Sequence, residues 1–305
     1  MSCATGYQLV QLASGVHSVR SLAHRETFHP VIGPAAEAEA LYVRQLKLRE
    51  RLRSHSGEFV IWDVGLGAAA NPLTVLRATR DIPSQLRIVS FDHTLEPLEF
   101  ALQHAETLGY LSGYENHLRA LLKKRRVSFA DGRQSIEWEL HQADFPTLLG
   151  EATPGSLVRR PARLPVPGLP PPHAIMFDAF SPATNPAMWT LPLFANLFRR
   201  LDPQRPCAMP TYSRSTMLRV TLLLAGFLVG VGHATGEKEE TTIAANTRDL
   251  IEEPLDRRWL ARARRSSSAE PLGEPVYRQA RLSAEAWEKL REHPQFSHSD
   301  TARRG

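Results

Sequence analysis

Residues 59–72 read FVIWDVGLGAAANP, a short apolar run that ends in an acid and two glycines. The run predicts a buried β-strand, and the residues after Asn71 predict a helix, with Pro72 in the first turn, where a helix tolerates proline. Glycine lets the backbone pass close to a ligand, and the start of the helix presents unpaired N–H groups. The segment therefore predicts a ligand-binding turn between a strand and a helix.

The segments on both sides repeat this alternation of strand and helix, which is typical of βαβ units and a parallel sheet. Further strands are predicted at residues 87–92, 135–140, 174–178 and 207–212, and helices at 97–108, 188–201 and 217–225. Residues 127–129 form a hairpin arm before the Asp131-Gly132 turn pair. The strands at 228–233 and 241–245 are joined too closely for a crossover helix and must be antiparallel. The prediction is a doubly wound α/β fold, a mostly parallel seven-stranded sheet with an antiparallel last hairpin.

The chain divides into three predicted regions. Residues 1–56 are a lead-in with a helix over 35–52, and residues 57–246 form the main domain, whose insertion at 153–172 carries seven prolines. Residues 247–305 are rich in Arg, Glu, Ser and Pro, with Trp259, Tyr277 and Trp287 as isolated apolar points. We expect a charged, partly ordered tail without catalytic residues there.

Composition excludes several classes of protein. Cys3 and Cys207 have no disulfide or metal-ligand spacing, so we expect neither a metal site nor an oxidising compartment. The first 20 residues lack a secretory pattern, and the apolar run at 218–232 is too short to span a bilayer, which favours the cytoplasm and a buried helix that turns into a strand.

The net charge of +5 suits a polyanionic partner such as RNA, although charge runs are commonly solvated faces. The basic residues cluster at 123–126, 159–160, 199–200 and 262–265.

Two acids follow the second and third strands of the predicted parallel sheet. In nucleotide-binding folds an acid in the place of Asp92 accepts hydrogen bonds from ribose hydroxyls, and Asp144 would reach the adenine side of the same crevice. For Asp92, the alternative is that the carboxylate only caps the next helix. A dinucleotide needs a G-x-G-x-x-G turn, which Ala70 interrupts, so S-adenosylmethionine is preferred over NAD.

The most specific segment is FDAFSPATNPAMW at residues 177–189. Asp178 follows the fourth strand of the parallel sheet, at the edge where open sheets bind ligands, and Phe180 with two prolines makes a stiff aromatic wall. A carboxylate there can hold an acceptor amine and take up its proton. The alternative is that the prolines shape a loop and Trp189 packs a helix. We expect Asp63, Asp92, Asp178 and the glycine turn to converge on one crevice.

This segment is similar to the D-[GA]-F-[AS]-P-x-x-N-P-x-M-W signature of the methyltransferase domain of MnmC, a bacterial family that finishes 5-methylaminomethyl-uridine at the tRNA wobble position. Over residues 25–246, further segments resemble family motifs in family order: 27–30, 33–42, 63–71, 90–92, 143–144, 211–213, 224–227 and 236–238. Three departures stand out. Residues 68–70 read AAA in place of Thr-Gly-Leu, Pro30 replaces a serine, and Glu239-Glu240 stand where the family is basic.

The resemblance implies a class I, Rossmann-like, S-adenosylmethionine-dependent methyltransferase that acts on the exocyclic amine of 5-aminomethyl-(2-thio)uridine in the tRNA anticodon region, without the flavin domain of bifunctional MnmC. The turn containing Asp63, Gly65, Gly67 and Asn71 would then hold the methionine portion of the cofactor. By the same resemblance, Asp92 would bind the ribose of the cofactor and Asp144 its adenine. Asp178 with Phe180 would bind the incoming base.

Two other functions stay open. The divergent turn and the acids near Glu239 fit a methyltransferase that acts on a different amine or a small molecule. A non-catalytic RNA-binding protein that kept the fold is the third possibility.

Overall fold

A computed structural model describes residues 6–150, 169–236 and 239–297 of the chain. The strands are β1 (Tyr7–Gln11), β2 (His17–Ser21), β3 (Glu58–Val64), β4 (Ser84–Asp92), β5 (Arg126–Asp131), β6 (Gln134–Gln142), β7 (Ala174–Phe177), β8 (Ala208–Thr211), β9 (Leu228–Gly232), β10 (Thr241–Ala245) and β11 (Glu253–Pro254). The α-helices are α1 (Pro34–Ala38), α2 (Leu48–Ser54), α3 (Ala70–Thr79), α4 (Glu96–Gln103), α5 (Ala105–Leu108), α6 (Glu115–Lys124), α7 (Phe145–Leu149), α8 (Leu191–Arg200), α9 (Thr216–Leu224), α10 (Arg257–Arg265), α11 (Ala284–Arg291) and α12 (Pro294–Ser297).

The main sheet has the order β11-β9-β10-β8-β7-β3-β4-β6-β5. Its five central strands, β6, β4, β3, β7 and β8, are parallel, and β10 and β9 follow as an antiparallel pair. The predicted fold class is confirmed, but the count of seven strands is wrong, because the described residues form nine strands in this sheet. β5 pairs with β6 at one edge, and the two-residue β11, too short to show periodicity, extends the other.

Alternate residues of β3 pack into separate cores on the two faces of the sheet. Ile61 joins the core under α1, α3 and α4, whereas Val60, Trp62 and Val64 join the core under α8 and α9. Successive side chains of a strand point to opposite faces, so a run that is apolar throughout must be covered on both. The strand is thereby fixed in the middle of the molecule, with its carboxyl end at one edge of the sheet.

The N-terminal region differs from the expectation of one helix over residues 35–52. α1 is followed by a π-helical segment, Glu39–Arg44, and Lys47 adopts a left-handed φ of 49° before α2 begins. Wider turns of this kind occur where a helix must present particular side chains. Here the buried Tyr42 hydroxyl donates to the carbonyl of Phe177, at the end of β7. The β1–β2 hairpin ahead of this region was not predicted.

Residues 247–297 pack against the sheet. Leu255, Trp259, Leu290 and Phe296 are buried in the same core as α9, and the Gln295 side chain bonds to the backbone of β9. Trp259 is therefore not an isolated apolar point. The boundaries at 56 and 246 stay predictions, and most of the Pro-rich insertion, residues 153–168, lies outside the described residues.

The apolar run at 218–232 forms buried α9 followed by β9, as predicted. In the part of the chain that the structure describes, no helix combines the length and apolar character needed to cross a membrane.

Candidate active site

A crevice of about 840 Å³ opens at the carboxyl ends of β3, β4, β6, β7 and β8. This volume lies within the range of pockets that enclose small molecules. Residues from the turns after these strands line one side of it, and a segment between β2 and α1 closes the other. The predicted residues that line it are Gly65, Gly67, Asn71, Asp92, Asp144, Asp178 and Phe180.

The turn after β3 contains two glycines that cannot be replaced without displacement of neighbours. Gly65 has a φ of 92°, and a Cβ atom there would lie 2.6 Å from the Asp178 carbonyl oxygen. Gly67 has a φ of 52°, and its Cβ would come within 3.2 Å of the Phe28 ring. The turn therefore abuts Asp178 and presents bare backbone to the crevice.

Asp92 lies at the end of β4, beside the same turn. Its Oδ2 accepts the Gly67 N–H at 2.9 Å, and its Oδ1 accepts the Thr94 N–H at 3.2 Å. Each carboxylate oxygen has a further lone pair, so Asp92 can still accept from a ligand hydroxyl. The hydrogen bond with Asp92 also raises the pKa of His93, although burial opposes this.

Asp144 follows β6 and caps α7. Its Oδ2 accepts the Thr147 N–H at 3.1 Å, a capping role that was not predicted for this residue. The residue is exposed and lines the crevice as well, so capping leaves its other carboxylate oxygen available to a ligand.

Asp63 does not lie on the crevice surface. It is completely buried beneath the glycine turn, where its Oδ2 accepts the Ser90 hydroxyl at 2.7 Å and its Oδ1 has no hydrogen-bond partner among the residues that the structure describes. Burial raises the pKa of Asp63 to about 7, and the nearby carboxylates of Asp178 and Asp92 act in the same direction. The expectation that all three acids reach one crevice is therefore wrong for Asp63, because its side chain points into the sheet.

Asp178 is the centre of a polar cluster on the acceptor side of the crevice. Its backbone N–H donates to the Val64 carbonyl at 2.9 Å, and its Oδ2 accepts from Asn71 Nδ2 at 2.9 Å. His29 Nε2 lies 3.5 Å from the same oxygen, and His29 Nδ1 lies 3.6 Å from Glu37 Oε2. Although burial opposes protonation of the imidazole, Asp178 and Glu37 raise its pKa above 6.5.

Phe180 forms an aromatic wall with two residues of the N-terminal segment. Its ring centroid lies 4.4 Å from that of His24 and 5.6 Å from that of Phe28. The wall is held by Glu26, whose carboxylate accepts the Ser181 N–H at 3.1 Å and the hydroxyls of Ser181 and Thr184. Trp189 donates its indole N–H to the Phe180 carbonyl at 2.7 Å and is fully buried, with its ring centroid 6.4 Å from that of Phe194 in α8, so it packs a helix, as the alternative from the sequence had it.

Sequence reasoning missed the roles that His29, Glu37 and Glu26 have in the geometry of the site. The available signal was the similarity of residues 27–30 and 33–42 to the family lead-in, which carries no spatial information. These side chains come to the crevice because the β1–β2 hairpin and α1 fold over the carboxyl edge of the sheet.

The site fits S-adenosylmethionine. The glycine turn lines the crevice with backbone atoms, Asp92 offers an acceptor at the position suited to ribose, and the buried Oδ1 of Asn71 has no hydrogen-bond partner within the described residues. An ammonium group can supply the missing donor. No group of three or more His, Cys, Asp or Glu side chains in the described ranges is arranged to hold a metal ion.

Comparisons with known proteins identify similar methyltransferases. Residues 166–247 match a family model described as S-adenosyl-L-methionine-dependent methyltransferase. The chain is 29% identical to the bifunctional protein MnmC of Aeromonas hydrophila over 67% of this chain and 30% of that protein, and 26% identical to MnmC of Methylibium petroleiphilum over 81% and 36%. It thus spans about a third of these relatives.

Among solved structures, MNMC2 from Aquifex aeolicus superimposes with a TM-score of 0.62 at 21% identity, covering 95% of this chain and 84% of that one, which shows a shared fold. The chain is an S-adenosylmethionine-dependent methyltransferase of the class I fold, and it is similar to the methyltransferase domain of MnmC.

Proposed function

We propose that this domain methylates the exocyclic amine of 5-aminomethyl-(2-thio)uridine at the wobble position of tRNA. The observation that carries the proposal is the fixed carboxylate of Asp178, which lies next to the glycine turn and between Asn71 and His29. The names of the curated relatives, tRNA 5-methylaminomethyl-2-thiouridine biosynthesis proteins, support the choice of acceptor.

Asp178 orients the acceptor amine in this proposal. Asn71 occupies one oxygen of the carboxylate and fixes its plane, which leaves the other oxygen to accept an N–H from the amine. S-adenosylmethionine, when bound, supplies an electrophilic methyl carbon on a sulfonium. The amine nitrogen gives its lone pair to the new N–C bond, the S–C bond breaks with its electrons on sulfur, and the nitrogen releases one proton.

His29 is the proposed acceptor of that proton. A neutral imidazole lies 3.5 Å from the Asp178 carboxylate, and its positive charge after protonation is stabilised by Asp178 and Glu37. The raised pKa of His29 is the thermodynamic expression of this stabilisation. The His29 side chain is only 9% exposed, and it lines the crevice.

The aromatic wall fits a planar base. Proteins that recognise single-stranded or splayed-out nucleotides commonly stack the base on aromatic side chains. Phe180, with His24 and Phe28 beside it, would present such a surface next to Asp178. Pocket-lining Tyr212 donates its hydroxyl to the Ala179 carbonyl at 3.0 Å and fixes the backbone between the wall and the carboxylate.

The test is nucleoside analysis of tRNA that carries 5-aminomethyl-uridine, after incubation with the protein and S-adenosylmethionine. We expect conversion to the 5-methylaminomethyl form, with the Asp178→Ala variant as the inactive control. Unchanged nucleoside in a tRNA that a known MnmC methylates would overturn the proposal. Methylation of small amines alone would instead support the second function, and no heat of cofactor binding in calorimetry would support the non-catalytic one.

A further inference from the structure

The structure separates the four basic clusters of the sequence. Arg199 donates to the Asn196 side chain and Arg200 to the Leu149 carbonyl, so both have structural partners. Residues 159–160 lie outside the described residues. Residues 123–126 lie at the end of α6 beside β5, the edge strand opposite to β11. The fourth cluster, residues 262–265, lies on α10.

α10 has an outward face made of arginine. Trp259, Leu260 and Ala263 are buried and hold the helix against the core, and the helix contains no acidic residue. Arg258, Arg262 and Arg265 are exposed, and their spacing of four and three residues puts them on one side of the helix. Among the described residues, none of these three arginines forms an ion pair. We call them the arginine face.

The segment that follows α10 contacts the loop beside the crevice. The chain enters α10 from β11, which pairs with β9, and after α10 the carbonyl of Leu272 accepts the Leu191 N–H at 2.8 Å, next to the acceptor loop. The loop that carries Tyr212 into the crevice continues to exposed Arg214 and then to α9.

Buried Arg219 experiences charges from both α10 and the loop that carries Tyr212. Burial lowers the pKa of Arg219, and the positive charges of Arg262 and Arg214 lower it further, so both lie within electrostatic range of one guanidinium. Arg219 itself is paired with Glu240 at 3.2 Å. Arg214, two residues after the pocket-lining Tyr212, and Arg262 of the arginine face thus lie near the same buried side chain.

We propose that the arginine face binds the phosphate backbone of the RNA substrate while the crevice holds the acceptor nucleoside. This inference rests on the proposed function and adds the docking surface. Guanidinium groups bind phosphate oxygens with two parallel hydrogen bonds, and three of them without carboxylate partners are free to do so.

A membrane surface fits the face less well. A helix that lies on a bilayer inserts large apolar side chains, but those of α10 are buried in the core. The large apolar side chains exposed in the described residues are Val16, Leu22, Val276 and Tyr277, none of which belongs to α10. A charged face without exposed large apolar side chains favours RNA over a membrane surface as the partner.

The test uses the full chain with Arg258→Gln, Arg262→Gln and Arg265→Gln combined. The matched control replaces three exposed cations of α6, with Arg119→Gln, Lys123→Gln and Lys124→Gln. Affinity for unmodified tRNA is measured by fluorescence anisotropy over a salt series, with cofactor affinity and Tm as checks on folding. We expect the face variant to bind tRNA about tenfold or more weakly and to lower the slope of log Kd against log salt by about three, because each lost phosphate contact removes about one unit.

Equal tRNA affinity of the face variant and the parent chain would overturn the inference and leave the proposed function standing. A parent chain that binds tRNA through the face but methylates no tRNA amine would refute the proposed function and leave the inference standing. Binding of the parent chain to phosphatidylserine vesicles without binding to tRNA would overturn the inference, as would equal weakening by the α6 control.

Discussion

The two halves of the crevice are built differently. The cofactor half, Gly65, Gly67, Asp92 and Asp144, comes from turns that each follow their own strand, and it is held mainly by backbone groups such as the Gly67 N–H. The acceptor half, Asp178 and Phe180, depends on side chains of remote segments: Asn71 is 107 residues from Asp178, and Glu26 is 155 residues from Ser181. Because the cofactor half is held by local backbone groups, we expect it to tolerate substitutions in the acceptor half.

The largest expected effect tests the independence of the two halves. Asp178→Ala removes the carboxylate that orients the amine, so we expect turnover to fall about 10³-fold or more, which is in the range of acid–base and positioning groups. Affinity for S-adenosylmethionine, measured by calorimetry, should stay within about twofold. Asp202→Ala, on a surface turn ahead of β8, is the control. Equal loss of turnover and cofactor affinity would show that the halves are one unit.

The second prediction concerns Asp63, beneath both halves. Its pKa of about 7 in the folded chain exceeds the ordinary value of 3.8, so between these values the folded state keeps a proton that the unfolded state has released. Stability therefore falls as the pH rises from about 4 to about 7, by roughly 3–4 kcal/mol.

Asp63→Asn removes this titration. Urea unfolding at pH 5 and pH 8 should show that the free energy of unfolding of the variant changes less with pH than that of the parent chain. Exposed Asp249→Asn serves as the control and should keep the parent's pH dependence. The same pH dependence in the Asp63 variant and the parent chain would contradict the raised pKa.

The third prediction sharpens the acceptor half. If His29 takes the proton, turnover rises with pH through a pKa above 6.5, and His29→Gln removes this titration and lowers turnover about 10²-fold. The pH–rate profile distinguishes this from a packing defect, which would lower turnover evenly at every pH. His117→Gln, which alters a ring stacked on Phe129 beside β5, should leave the profile unchanged.

The smallest expected effect lies in the cofactor half. Asp92→Asn keeps the shape of the side chain but removes its charge, so we expect S-adenosylmethionine to bind about tenfold more weakly, as for one weakened charge-assisted hydrogen bond. Turnover at saturating cofactor should be nearly unchanged. A fall in turnover with unaltered cofactor affinity would place Asp92 in the acceptor half and contradict the division of the crevice into two halves.

Much of the fold could be predicted from the sequence because its signals are local. The parallel strands are apolar runs covered on both faces, and β10 was predicted with the bounds that it has. The π-helical segment at Glu39–Arg44 could not be predicted, because the burial of Tyr42 against β7 decides it. The C-terminal helices were missed for a related reason, since their few apolar residues gain meaning only against the core that they cover.

The sequence by itself determined the turns that follow β3, β4 and β7, because a glycine or an acid at the end of an apolar run is a short-range pattern with one structural meaning. The tertiary structure alone decided that the Asp63 side chain is buried, that His29 and Glu37 stand behind Asp178, and that α10 turns its arginine face away from the core. The physical reason is that these facts depend on distances between segments remote in the chain, which packing sets and local propensity does not.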